Sequence, residues 1–175
     1  MARAEPRVRL RDLDLADADL LDAWNREPSS EFNDFGKEAE PLPRDAIAEG
    51  PLRSDRNGML VVQRLDTGEV IGTVSWHRIG YGPKPKSDAW NFGIELRPEY
   101  RGQGFGTEAQ RQMADFLFGT YDLNRVEAST DVENLPEQRS LEKAGYVREG
   151  IQRGAQWRAG AYHDLVTYSR LRSDP

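Results

Sequence analysis

At 175 residues, with 37% hydrophobic side chains, the chain is about the size of one domain and can close a core. No run approaches the ~18 apolar residues of a membrane span, and the N-terminus carries no apolar leader, so a soluble, cytoplasmic protein with no membrane partner is expected. The lack of cysteine excludes disulfides and thiolate chemistry; two histidines argue against a metal site, and a net charge of -6 argues against a nucleic-acid partner.

Residues 7–11 read as a first strand, and 17–24 as a short helix with Leu20, Leu21 and Trp24 at helical spacing. Residues 27–43 form a polar, proline-broken segment in which Phe32 and Phe35 are embedded, followed by a helical piece at 44–49. Residues 59–62 and 69–79 read as strands joined through Asp66, Thr67 and Gly68 as a hairpin. A glycine- and proline-containing loop at 81–86 precedes a strand at 90–96. Trp76, Trp90 and Phe92 are expected in the core.

A helix is predicted from about 106 to 118, with Ala109, Met113, Phe116 and Leu117 on one face. Residues 125–130 read as a strand, and 135–143 as a helix stopped by Gly145. Two strands close the chain, roughly at 146–153 and 162–171. No repeat, linker or low-complexity stretch interrupts this order, so residues 1–175 are expected to form a single mixed domain.

The most informative stretch lies between the fourth strand and the long helix. Gly102, Gly104 and Gly106 remove side chains where backbone N–H groups must approach a ligand closely. The helix behind them adds its positive dipole end and unpaired donors, which together make an anion site. A Walker loop is excluded because no lysine is present, and a dinucleotide fingerprint because its third glycine falls on Thr107.

The pattern that fits is Arg/Gln-x-x-Gly-x-Gly/Ala, met by Arg101, Gly104 and Gly106, which resembles the pyrophosphate loop of the GNAT acyltransferase superfamily. The order of elements resembles the GNAT fold over nearly the whole chain. Asn134, the run from Gln138 to Tyr146, Glu149 with Gly150, and the run from Gly160 to Asp164 resemble its RimJ/RimL branch. The fold so implied is α/β (α+β), a central mixed, mostly antiparallel sheet of seven strands flanked by four helices. The activity implied is transfer of an acetyl group from acetyl-coenzyme A, as co-substrate and without a metal, to a primary amine. That amine is a protein or peptide N-terminus or a small molecule, attacking directly in a ternary complex. A homodimer is compatible with this reading. Two alternatives stay open: a coenzyme-binding regulatory module that has lost turnover, and an acyltransferase preferring a different acyl donor.

The resemblance also assigns residues. Pantetheine would lie as a false strand beside Ile94, Leu96 and Arg97, with the N–H near Ile94 polarising the thioester carbonyl. Arg101, Gly102, Gln103, Gly104, Phe105, Gly106 and Thr107 would hold the pyrophosphate. Asn134 matches the asparagine that binds pantetheine, and Arg139 or Lys143 would reach the outer phosphate. Asn134 and Glu137 are the catalytic candidates, yet their spacing is also that of a capping box, which would explain both without chemistry. Related enzymes carry serine at the position of Glu137, a tyrosine acid at that of Leu141, a base glutamate at that of Gln156 and, in another branch, a base on the fifth strand at that of Ser129.

For the acceptor, Phe32, Asp34 and Phe35 are expected to wall the pocket, with Trp157 as a second wall. His77 and His163 are expected to be structural. Ten acidic residues between Asp12 and Glu40 face only Arg26 and Lys37, and seven basic residues between Arg139 and Arg172 face Glu142, Glu149 and Asp164. These read either as solvated surface or as an acidic mouth for a cationic amine beside a basic face for coenzyme phosphates.

Overall fold

A computed structural model describes residues 5–27, 30–36 and 40–175. Seven strands form one sheet in the order β1-β2-β3-β4-β5-β7-β6. They are β1 Val8–Arg11, β2 Asn57–Arg64, β3 Val70–Gly80, β4 Asp88–Leu96, β5 Arg125–Asp131, β6 Val147–Arg158 and β7 Ala161–Leu171. All neighbours are antiparallel except β4 and β5, which run parallel. The helices are α1 Leu15–Asn25, α2 Arg44–Glu49, α3 Phe105–Thr120 and α4 Leu135–Lys143. This is the mixed sheet with four helices read from the sequence.

The sheet divides two cores. On one face α3 and α4 cover Val74, Trp76, Trp90, Phe92, Val126, Ala128 and Tyr168, and the three aromatics expected in the core are buried there. On the other face Leu13 and Leu21 pack on Val61 and Val70, with Trp24, Leu42 and Met59 at the margin. Period-two alternation along the strands produces the division, since successive side chains leave opposite faces.

Local departures have local causes. α1 begins at Leu15 rather than at Asp17, because Asp14 caps it and Asp17 returns the bond in a full capping box. Ala18 and Leu21 are its buried apolar side chains, while Leu20 is exposed. β6 runs on past residue 153 to Arg158, because Gly154, at a positive φ of 57°, absorbs an irregularity in its pairing with β7.

Candidate active site

β4 and β5 pair only at Trp90–Val126 and Asn91–Glu127. Beyond these, β4 stays with β3 as far as Leu96 and β5 stays with β7 as far as Asp131, so the two strands part and leave a gap. The Arg97 N–H donates to the Ile71 carbonyl at 3.0 Å, and the uninterrupted β3–β4 register places these two residues opposite each other. In an antiparallel ladder every second residue turns both backbone groups to its partner. Residues 97, 95 and 93 therefore face β3, whereas Ile94 and Leu96 face the gap. On the other side, the Val132 N–H donates to the Asp164 carbonyl, which by the same phase turns Ser129 to the gap. The Leu96 carbonyl takes the Arg101 guanidinium at 2.8 Å. The Ile94 N–H and carbonyl and the Leu96 N–H have no strand opposite them.

The glycine loop closes one end of the gap. Gly102 and Gly104 have φ of 71° and 86°, a left-handed backbone that only glycine adopts without penalty. Gly104 caps α3 with no side chain, so the first-turn N–H groups of Phe105, Gly106 and Thr107 stay open to an anion. Arg7 braces the loop from β1: Nη2 donates to the Gln103 carbonyl at 2.8 Å and would lie 3.0 Å from a Cβ at Gly104. Gln103 turns its amide back onto the Glu99 carbonyl at 2.7 Å. A Cβ on Gly106 would lie 3.5 Å from the Leu96 side chain and 3.7 Å from Ser140 Oγ, so β4, α3 and α4 converge there. Arg97 is occupied by α1, its Nη1 donating to Glu27 at 2.6 Å with its guanidinium over Trp24.

α4 supplies the other wall. Asn134 is its N-cap: Oδ1 accepts the Glu137 N–H at 3.4 Å and Nδ2 donates to Thr130 Oγ1 at 3.1 Å. The expected capping box is not completed. The Asn134 N–H already donates to the Asp131 carbonyl, and Glu137 turns inward, its Oε1 accepting from Gln110 Nε2 at 2.6 Å. Burial pushes the Glu137 carboxyl up to about 7, against the lowering effect of the Gln110 hydrogen bond. Leu141 is fully buried and Arg139 is exposed on the outer side of α4.

The face opposite α3 and α4 is polar along its centre. His77, Asn91, Glu127 and Ser169 stand side by side on β3, β4, β5 and β7. Glu127 is buried and held by the Arg125 guanidinium and, at 2.6 Å, by the Tyr81 hydroxyl. Nearer the loop, Glu95 is exposed on this face. At the end of β5 an ion pair is sunk into the protein. Arg158, 3% exposed, donates from Nη2 to Asp131 Oδ2 at 2.5 Å, and His163 Nδ1 lies 3.2 Å from the same oxygen. Burial works to raise the Asp131 carboxyl, but Arg158, the Glu133 N–H and His163 together hold it below the usual range.

The expected acceptor residues are not all brought together. Phe32 joins the ion pair: its carbonyl accepts from Arg158 Nη1 at 3.4 Å and its ring lies under the guanidinium. Asp34 turns locally to the Gly36 N–H, and Phe35 is exposed. Trp157 is 59% exposed and packs edge-on against Tyr162 at the tip of the β6–β7 hairpin. Gln156 accepts from Arg158 at 2.6 Å, and Ser129 Oγ lies 3.3 Å from Thr167 Oγ1. Nor is the acidic run a free field. Asp12, Asp14, Asp17, Asp19, Asp22 and Glu27 are paired with Arg53, Arg11, Arg44 or Arg97. A surface depression between α2 and the start of β2 lies at the end of the sheet away from the glycine loop.

Four residues of this region escape a sequence reading. Gln110 had a signal: it shares spacing with Met113, Ala114 and Leu117, a polar residue at the head of a buried stripe. Glu95 was visible only as the outward member of an alternating strand. Asp131 and Arg158, 27 residues apart, had no local signal at all.

Residues 7–147 match the acetyltransferase (GNAT) domain family, and the chain belongs to that family. It is an acyl-coenzyme A-dependent N-acetyltransferase. Over its length it is similar to an uncharacterised N-acetyltransferase p20 of Bacillus licheniformis, 26% identical across 96% of this chain and 94% of the relative. Among solved structures it resembles the ribosomal-protein-S5-alanine acetyltransferase of Vibrio fischeri, with a TM-score of 0.76 and 21% identity over 99% and 98% of the two chains. It also resembles the spermidine N-acetyltransferase of Vibrio cholerae in complex with CoA and spermine, with a TM-score of 0.71 and 21% identity over 96% and 97%.

Proposed function

We propose that the enzyme transfers the acetyl group of acetyl-coenzyme A to the α-amine of a peptide or protein N-terminus, or to a small amine of similar basicity, by direct attack in a ternary complex. The observation that carries this reading is the β4–β5 gap. It exposes backbone donors and acceptors at Ile94 and Leu96 and ends on an uncapped helix N-terminus. Pantetheine has amides to pair with that edge, and pyrophosphate suits the N–H groups from Gln103 to Thr107.

In this arrangement the Ile94 N–H polarises the thioester carbonyl, and the amine nitrogen attacks the carbonyl carbon from the polar face. As the C–S bond breaks, the departing thiolate takes the proton of Glu137, a carboxyl that burial keeps partly protonated near neutral pH. The attacking amine sheds its proton to water ordered at Glu95, the exposed carboxylate of this face beside the gap. Asn134 fixes the start of α4 and offers its amide to pantetheine.

The acceptor class follows from energetics. Keeping a lysine-like amine of pKa ~10.4 neutral at pH 7 costs ~4.6 kcal/mol, against ~1–1.4 kcal/mol for an α-amine of pKa ~7.7–8.0. Glu127 and Asp131 are tied to arginines and cannot serve as strong bases. A weakly basic amine therefore suits the site. Thiol release from acetyl-coenzyme A, measured with free-N-terminus peptides, the same peptides N-terminally blocked, and spermine, tests it. Free peptides should give the highest kcat/KM at pH 7; a preference for spermine, or for blocked peptides bearing lysine, would overturn it. Longer or acidic acyl donors in the same assay should turn over more slowly than acetyl.

A further inference from the structure

Between α3 and α4 runs a partly buried chain of hydrogen bonds whose direction follows from the orientation of the Gln110 amide. Ser140 Oγ donates to Gln110 Oε1 at 2.8 Å, which uses its single hydrogen. Its contact with Thr107 Oγ1 at 2.9 Å must then be donated by Thr107. With its oxygen so occupied, the Gln110 amide presents its NH₂ to Glu137 Oε1 at 2.6 Å. Gln110 itself has no freedom to leave: it is 0% exposed, and its backbone carbonyl accepts the Tyr146 hydroxyl at 3.1 Å. Among the described residues Oε2 of Glu137 takes no hydrogen bond, so the two oxygens of one carboxyl are made unequal.

We propose that Gln110 is a positioning residue for the acid step: held in one orientation by Thr107 and Ser140, it occupies Oε1 as an acceptor and reserves Oε2 as the oxygen that carries and delivers the proton. This rests on the reading of Glu137 as the acid. Among the described residues no fixed charge competes with the amide for control of Glu137. On α3, Glu108 accepts from the Arg7 and Val8 N–H groups, Arg111 reaches the Lys143 carbonyl and Asp115 pairs with Arg170. On β5, Arg125 holds Glu127 and Glu149, and Asp131 holds Arg158. On α4, Glu142 accepts the Tyr168 hydroxyl, while Arg139 and Lys143 are exposed.

The test compares Gln110→Met, Ser140→Ala and Glu137→Gln. Each is assayed for kcat between pH 6 and 10 with acetyl-coenzyme A and whichever of a free-N-terminus peptide and spermine turns over. In parallel, the Glu137 carboxyl is titrated by carbon NMR, which needs no acceptor. A hydrogen bond to a carboxylate is worth about one pH unit. In Gln110→Met the titration and the alkaline limb of kcat should therefore move up by about one unit, with kcat down roughly tenfold and KM for acetyl-coenzyme A unchanged. Ser140→Ala, which leaves Gln110 in place but free to turn, should move both in the same direction by less, and it carries the test if Gln110→Met fails to fold. If Glu137→Gln keeps the alkaline limb and full kcat, the acid reading fails and the proposal with it. If Glu137→Gln loses the limb but neither partner variant shifts the titration, only the positioning role of Gln110 is overturned.

Discussion

Glu137 should make the protein less stable as pH rises, and removing its charge should reverse this. The carboxyl titrates at about 7 when folded against an ordinary value of 4.5, because burial penalises its ionised form. Between these values the folded chain holds a proton that the unfolded chain has released, so unfolding free energy falls with pH. Integrating the two titrations gives a cost of about 1 kcal/mol at pH 5 that grows to about 3 kcal/mol at pH 8. Glu137→Gln is isosteric with the protonated acid, and its amide oxygen can still accept from Gln110. The variant should therefore gain stability over the parent by about 2 kcal/mol more at pH 8 than at pH 5, or about 4–8 °C in melting temperature for a chain of this size. Urea denaturation of both proteins at the two pH values measures the gap directly. An equal gap at pH 5 and pH 8 would refute the claim that burial holds this carboxyl protonated.

Gly104→Asp should weaken acetyl-coenzyme A binding severely by calorimetry, since it places a β-carbon against Arg7 in a left-handed backbone and a carboxylate at an anion site; unchanged affinity in a folded variant would remove the loop from coenzyme binding. Asn134→Asp should keep the cap, costing under about 1 kcal/mol in thermal unfolding, yet lower acetyl-coenzyme A affinity, because the amide donor is lost. Arg158→Met should destabilise by about 3–5 kcal/mol, the scale of stranding a buried charge such as Asp131. In folded protein it should raise KM for the acceptor while leaving that for acetyl-coenzyme A alone, because it also releases Phe32.

The glycine loop and the helix behind it were largely legible in the sequence because their determinants are local. Glycines 102 and 104 are needed where the backbone turns left-handed, and the helix behind them follows within the same stretch. Trp76, Trp90 and Phe92, expected in the core, are buried there. The surroundings of Phe32 were less legible because they are assembled from distant contacts. Phe32 meets Arg158 across 126 residues, and nothing near either residue announces the meeting. Glu137 shows how a local rule can mislead. Its capping-box spacing is satisfied at Asn134, but a tertiary partner on α3 outbids the local one, and the carboxyl exchanges a solvated cap for a buried bond.

The two cores on opposite faces of the sheet have a consequence for how acceptor choice can change. The coenzyme-side elements share the larger core, where a single altered side chain disturbs many neighbours. α1 and α2 rest on a smaller cluster and are otherwise tethered by guanidinium–carboxylate contacts at the rim: Arg44 to Asp19, Arg97 to Glu27, and Arg53 to Asp12. Such rim tethers are individually weak, about 0–1 kcal/mol each, and can be exchanged one at a time without an unfolding penalty. On the proposed function, residues 30–36 can be changed for a new amine without disturbing the larger core, so libraries randomised over residues 30–36 should retain coenzyme binding in most members.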